Sequence, residues 1–226
     1  MSFSNSFLQD GDLLYIGTGM WQKATNTMKP TAMALDAATG SLIGQKVLGS
    51  HPRHGAIRGI IVDEERIICT GYVDNEQPGF LFVADGAKPA VWEFDKMGNL
   101  VKEKILTIAG LGQGAKIRKD HSSNGGFIMT STAWATFNGK ERNSVALVKF
   151  SSSLDVEWSQ MYGLEGGASQ VFDMLVDNDG NYLMGGHTTV GPGVINWDYL
   201  ALKVNSKTKQ VEWRNVYGQP RGFNAT

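Results

Sequence analysis

Reactive side chains are sparse in this 226-residue sequence, and the four histidines come first. A neutral imidazole both ligates metals and titrates near neutrality, so each is a candidate general base or ligand. His51 and His54 flank Arg53 in GSHPRHGAIRG, His121 lies in RKDHSSNGG, and His187 ends the strand NYLMGGH. His51 and His54 lack a third ligand nearby in sequence, so neither a metal nor a cofactor is expected, and solvated polar loop residues are the plainer reading. Offsets of 168, 115 and 55 residues superpose Asn5, Arg58, Arg118 and Asp173 on one position of a repeated strand. Two guanidiniums, a carboxylate and an amide would suit a small anion or sugar hydroxyls, because Arg offers bidentate donors. The blander expectation is that Asp173 pairs with its Arg neighbours. With His121 added, the same polar cluster is what a hydrolase or lyase would use.

Other chemistries find little support. There is no G-x-S-x-G nucleophile elbow and no phosphate-binding Walker loop. Cys69 is the single cysteine, so an internal disulfide and a Cys-rich zinc site are excluded, and its apolar strand IICTGY predicts an inert core thiol. The glycine pairs at 125–126, 166–167 and 185–186 are expected in turns or at strand ends. DNDGN at 177–181 resembles the start of a calcium loop, but Thr188 stands where an EF-hand needs glutamate, so a tight turn is expected. Basic and acidic residues number 21 and 22, a net charge of −1 that offers no field for nucleic acid or an anionic membrane. No apolar run reaches the length of a membrane span and no signal peptide is visible, so membrane insertion is not expected. The lone cysteine leans toward an intracellular compartment, which otherwise stays open.

The six tryptophans divide into groups. Trp158 and Trp213 share one position in VEWSQMYG and VEWRNVYG and are expected to pack between neighbouring sheets. Trp21, Trp134 and Trp197 are expected in or near loops at 19–31, 132–144 and 187–198. Together with His51, Arg53, His54, His187 and Arg221 they would form a loop-rich face. There they would stack on sugar rings, anchor a protein partner, or fold back over a sheet edge.

The elements that carry these residues repeat four times. A short apolar strand recurs as LLYIGTG, IICTGY, GFIMTST and NYLMGGH; matching Thr18, Gly71, Ser131 and Gly186 gives spacings of 53, 60 and 55. A second strand follows at 31–40, 90–99, 144–153 and 199–208, alternating apolar with polar or small residues before a polar turn. A third occupies 41–49, 99–106, 155–163 and 210–218, and an inner strand precedes each first anchor, as in HGAIRGIIVDEER. Four short strands per unit and almost no helix predict an all-β chain of four antiparallel four-stranded blades, the β-propeller pattern. The units run approximately 1–53, 54–112, 113–166 and 167–222 within one domain, with 223–226 beginning or closing a further inner strand. Four blades would close a small ring, form part of a larger one, or pair with a second chain. An open blade edge would favour self-association.

AMALDAATGSLIGQKVLG resembles the strand-turn-strand repeat of quinoprotein dehydrogenase-like propellers, with its A-x-D-x-x-T-G turn. The stretches VEWSQMYG to NYLMGGHT and VEWRNVYG resemble propeller repeats written W-x-x-x-Y-G followed by D-G-G-Y. The resemblance implies the fold; for the quinone enzymes it also implies a vicinal cysteine pair, which the single Cys69 does not provide. Such repeats serve lectins, adhesins, enzymes and scaffolds alike. The expected function is therefore a non-enzymatic binding or scaffold module that presents a loop-rich face to a protein or glycan. An enzyme using the polar cluster and a structural subunit of a larger assembly stand as alternatives.

Overall fold

The computed structural model describes residues 2–77, 86–121, 125–137, 140–163, 168–189 and 197–218, with backbone alone at 2–5, 135–137 and 140–142. Every regular element among them is a β-strand. The first sheet contains β1 (Ser2–Asp10), β2 (Leu13–Gln22), β3 (Thr27–Asp36) and β4 (Leu42–Val47). The second contains β5 (His54–Asp63), β6 (Arg66–Asn75), β7 (Lys88–Asp95) and β8 (Leu100–Ile105). The third comprises β9 (Leu111–Lys119), β10 (Phe127–Phe137), β11 (Lys140–Phe150) and β12 (Val156–Tyr162). The fourth comprises β13 (Ser169–Val176), β14 (Tyr182–Thr189), β15 (Trp197–Val204) and β16 (Val211–Tyr217). Strands follow chain order across every sheet. The all-β, four-sheet antiparallel expectation therefore holds.

The chain divides into two compact units, Met1–Ile117 and Arg118–Thr226. In the first, β1 to β4 pack on β5 to β8 through Tyr15, Ile57, Ile60, Cys69, Trp92 and Phe94. In the second, Ile128, Val145 and Leu147 meet Met184, Leu200 and Leu202. Trp92 and Phe94, Val145 and Leu147, and Leu200 and Leu202 alternate along their strands, as the period of two demands, while β5 and β6 are buried on both faces. Cys69 is fully buried and burial pushes its thiol pKa far up, which agrees with an inert core residue.

The hairpins between third and fourth strands share one device. A side-chain oxygen on the first turn residue accepts backbone N–H groups. Asp36 takes those of Ala38 and Thr39 at 3.1 and 2.7 Å, and Asp95 takes those of Met97 and Asn99 at 2.9 and 2.8 Å. Asn205 binds the Lys207 and Thr208 amides at 3.0 and 2.9 Å, and Ser151 binds that of Asp155 at 3.1 Å. Asx and ST turns of this kind satisfy the turn backbone locally. The Thr39 hydroxyl and amide hold the Asp36 carboxyl below its usual range, as Asn99 does for Asp95.

Gly185 and Gly186 lie inside β14, not at a turn or a strand end as the sequence had predicted. A Cβ on Gly186 would sit 1.9 Å from the Gln170 carbonyl oxygen, and one on Gly71 1.9 Å from that of Ala56. Close backbone approach at the inner strand requires glycine there. DNDGN forms the tight turn expected: Asp177 accepts the amides of Asp179 and Asn181 at 3.0 and 2.8 Å.

Candidate functional site

The four residues that the offsets superpose do not share one register position. Each inner strand described with its partner carries a bulge, between Ser4 and Ser6, between Ile57 and Gly59, and between Val171 and Asp173. A bulge leaves one residue unpaired and re-aims its side chain. Asn5 and Arg58 occupy that place, but in the fourth sheet it belongs to Phe172, and Asp173 pairs onward with Gly185. The reason is turn length. Asp10 and Leu13 or Asp63 and Arg66 pair across two residues, whereas the Asp177 amide closes on the Asn181 carbonyl across three. Arg118 stands two residues before Asp120, whose amide closes on Gly126, so it too is out of register. What the fold does bring together is Arg118 and Asp173, whose Nη2 and Oδ1 lie 2.7 Å apart on an exposed surface, the plainer pairing foreseen. His121 is exposed in the turn after β9.

Arg58 lies in the first unit, 6% exposed, with its guanidinium carbon 5.3 Å from the centre of the Tyr72 ring. Burial lowers the Arg58 pKa and raises that of Tyr72, while each partly offsets the shift of the other. A buried guanidinium over a ring gains cation–π attraction once desolvated.

The other loop-face residues of the first unit each engage a neighbour. His51 donates its Nε2–H to Glu103 at 3.2 Å, Glu103 also accepts the Trp92 indole N–H at 2.7 Å, and Arg53 pairs with Glu76 at 2.9 Å. Buried Lys29 donates to the carbonyls of His51 and, at 3.4 Å, Arg53, tying the loop down. His54 accepts the Met28 amide at 3.1 Å and stacks on Trp21 at 5.6 Å. Burial and neighbouring Lys29 both lower its pKa, favouring the neutral ring. Trp21 and Trp134 lie in strands β2 and β10, not in loops, because those strands run further than the sequence reading allowed. Among the described residues no His, Cys, Asp and Glu group could hold a metal ion. Arg221 and the edge at 223–226 lie outside the described residues.

One face of the fourth sheet gathers aromatic groups around His187. Its ring meets Phe172 edge-on at 4.5 Å, Tyr199 at 5.7 Å and Trp197 at 6.2 Å. The register explains the cluster: Gln170 and Tyr199 flank His187 on the same face, Trp197 stands two residues before Tyr199, and the bulge turns Phe172 onto them. Burial alone lowers the His187 pKa. Tyr199 and Tyr217 are 49% and 56% exposed, and Trp213 39%. Phe172, Tyr199 and Tyr217 were not singled out from sequence, because the bulge and cross-strand register that assemble them are not legible in a single strand.

Trp158 and Trp213 do share one register, opposite Lys149 and Lys203. Trp158 packs on the second unit's core and lies 6.3 Å from the Tyr182 ring, as foreseen. Trp213 stands on the exposed face of the fourth sheet.

No protein-family model matches this chain, and no curated protein matches it. Among solved structures it is similar to the tail fiber of Staphylococcus aureus phage P68, at 10% identity and a TM-score of 0.29, over 95% of this chain and 63% of that one. It is also similar to Pyrococcus horikoshii acylaminoacyl peptidase, at 9% identity and a TM-score of 0.25, over 97% of this chain and 53% of that one. The chain thus spans under two thirds of either structure's length, and likenesses at these scores carry no argument about fold or activity.

Proposed function

We propose that this chain is a non-enzymatic binding module of β-propeller-type blades, which engages a glycan through the aromatic face of its fourth sheet. The observation that supports this is the convergence of Phe172, Trp197 and Tyr199 on His187 beside the Arg118–Asp173 pair. Aromatic faces carry negative potential and attract the polarised C–H faces of a sugar ring, while the ion pair offers hydrogen bonds to hydroxyls. This end of the face is not a repeated packing feature. At the registers of His187 and Trp197, the third sheet has Thr132 and Asn143. Titrating the protein with an oligosaccharide panel, followed by tryptophan fluorescence, tests it. Trp197→Ala should weaken binding at least roughly tenfold with the melting curve preserved, as for loss of an aromatic hot spot; unchanged affinity rejects the site.

A structural-subunit reading has its own support on the same face. Trp213, Tyr217 and the Lys203–Asp177 pair repeat Trp158, Tyr162 and the Lys149–Asp120 pair, which the fourth sheet covers. A concentration-dependent dimer in sedimentation, lost in Trp213→Ser, would favour it over the glycan.

A further inference from the structure

The first unit contains a cleft of about 270 Å³ between its two sheets. Its floor is apolar and buried, formed by Tyr15, Ile60, Ile67 and Phe94. Exposed Ile43 and Met97 stand on the rim with Lys46 and Lys96, the latter held by Asp10.

The repeat explains why the cleft is there. β3 and β4 pair Ala34 with Gly44 just before a bulge, and β11 and β12 pair Lys149 with Trp158 just before the same bulge. Gly44 and Ala34, both lining the cleft, thus stand where the second unit places an indole and a lysine. The second unit also satisfies its interface phenol: Tyr182 donates to Asp120 at 3.1 Å. Tyr15 is 4% exposed, and its hydroxyl oxygen is buried with no hydrogen-bond partner among the described residues. An unmatched buried hydroxyl costs on the order of 1–3 kcal/mol, which a ligand acceptor would recover.

We propose that this cleft binds a small aromatic carboxylate, its ring filling the space that Gly44 leaves and its carboxylate accepting from the Tyr15 hydroxyl. The volume suits a ligand on the order of ten non-hydrogen atoms. A planar ring matches a slot whose counterpart holds an indole, and Lys46 adds positive charge to the lining, Lys96 being held by Asp10. The site shares no residue with the aromatic face of the fourth sheet, so either reading can fail without the other.

Indole-3-carboxylate is the probe, with indole as the neutral arm, titrated into the full chain by calorimetry and by NMR of the methionine methyl groups. Saturable binding with a Kd below about 1 mM is expected, with shifts at Met33 and Met97, which line the cleft. Indole should bind about tenfold more weakly, and Tyr15→Phe should weaken the carboxylate but not indole. Gly44→Trp should abolish binding of both; a Cβ at Gly44 meets nothing within 4 Å. No saturable shift at Met33 and Met97 overturns the proposal, as does unchanged affinity in Gly44→Trp. Should that variant not fold, Tyr15→Phe decides, because it removes only an oxygen; equal affinity there overturns the proposal.

Discussion

Between the third and fourth sheets, Trp158 and Lys149 fill the outer half of the interface, and Lys149 pairs with fully buried Asp120 at 2.9 Å. Between the first and second, the same registers hold Gly44 and Ala34, and Asp10 turns instead to Lys96 at the surface. One interface is closed by an indole and an ion pair, the other left as a cleft with an unmatched phenol. The same four-stranded sheet thus supports either packing or a vacancy, and two positions decide which.

The largest test removes the buried charge from the closed interface. Asp120→Ala takes the close carboxylate from the Lys149 ammonium, whose side chain is 3% exposed, and leaves it the Gly125 and Phe150 carbonyls with Glu157 at 3.9 Å; it should cost about 2–4 kcal/mol in urea unfolding. A loss under about 1 kcal/mol would mean that the pair is solvated. Trp158→Gly should open in the second unit the cleft already present in the first, at a cost of about 2–4 kcal/mol given the partial exposure of the indole. The reciprocal Gly44→Trp should stabilise the first unit by about 0.5–1 kcal/mol as a filled cavity; a lowered melting temperature would break the equivalence of the two interfaces.

The smallest effect is a pH dependence. His54 in the first unit and His187 in the second both have folded pKa values below the unfolded 6.5. A depressed imidazole binds fewer protons when folded, so its contribution is full above about pH 6.5 and is lost as pH falls toward the folded value. Unfolding midpoints should therefore drop between pH 7 and 5. His54→Gln and His187→Gln should each blunt that drop, read as the slope of unfolding free energy against pH. An unchanged slope in either variant would remove the depressed pKa assigned to that histidine.

Strand existence and order were legible because alternation, polar turns and the Thr18, Gly71, Ser131 and Gly186 anchors recur in each copy. The site was not. A one-residue difference between the turn after Asp10 and the turn after Asp177 displaces every residue upstream by one, which moved Phe172 into the place expected for Asp173. Trp21 illustrates a second limit: Gly19 and the polar QKATN stretch read as a loop, yet β2 continues to Gln22, where pairing with β3 outweighs local propensity. Trp158 was correctly placed because its sequence context recurs around Trp213, whereas the Gly44 cleft is an absence, visible only once register aligns it with those tryptophans.

The outer hairpins close on a single side chain, that of Asp36, Asp95, Ser151 or Asn205, with a left-handed residue near the far end: Gly40, Gly98, Leu154 or Lys209. The donors to those side chains, among them the amides of Ala38, Thr39, Met97, Lys207 and Thr208, lie between the two fixed points. Each hairpin therefore sets its own length, and an added residue there would break the closure before it disturbed the strands.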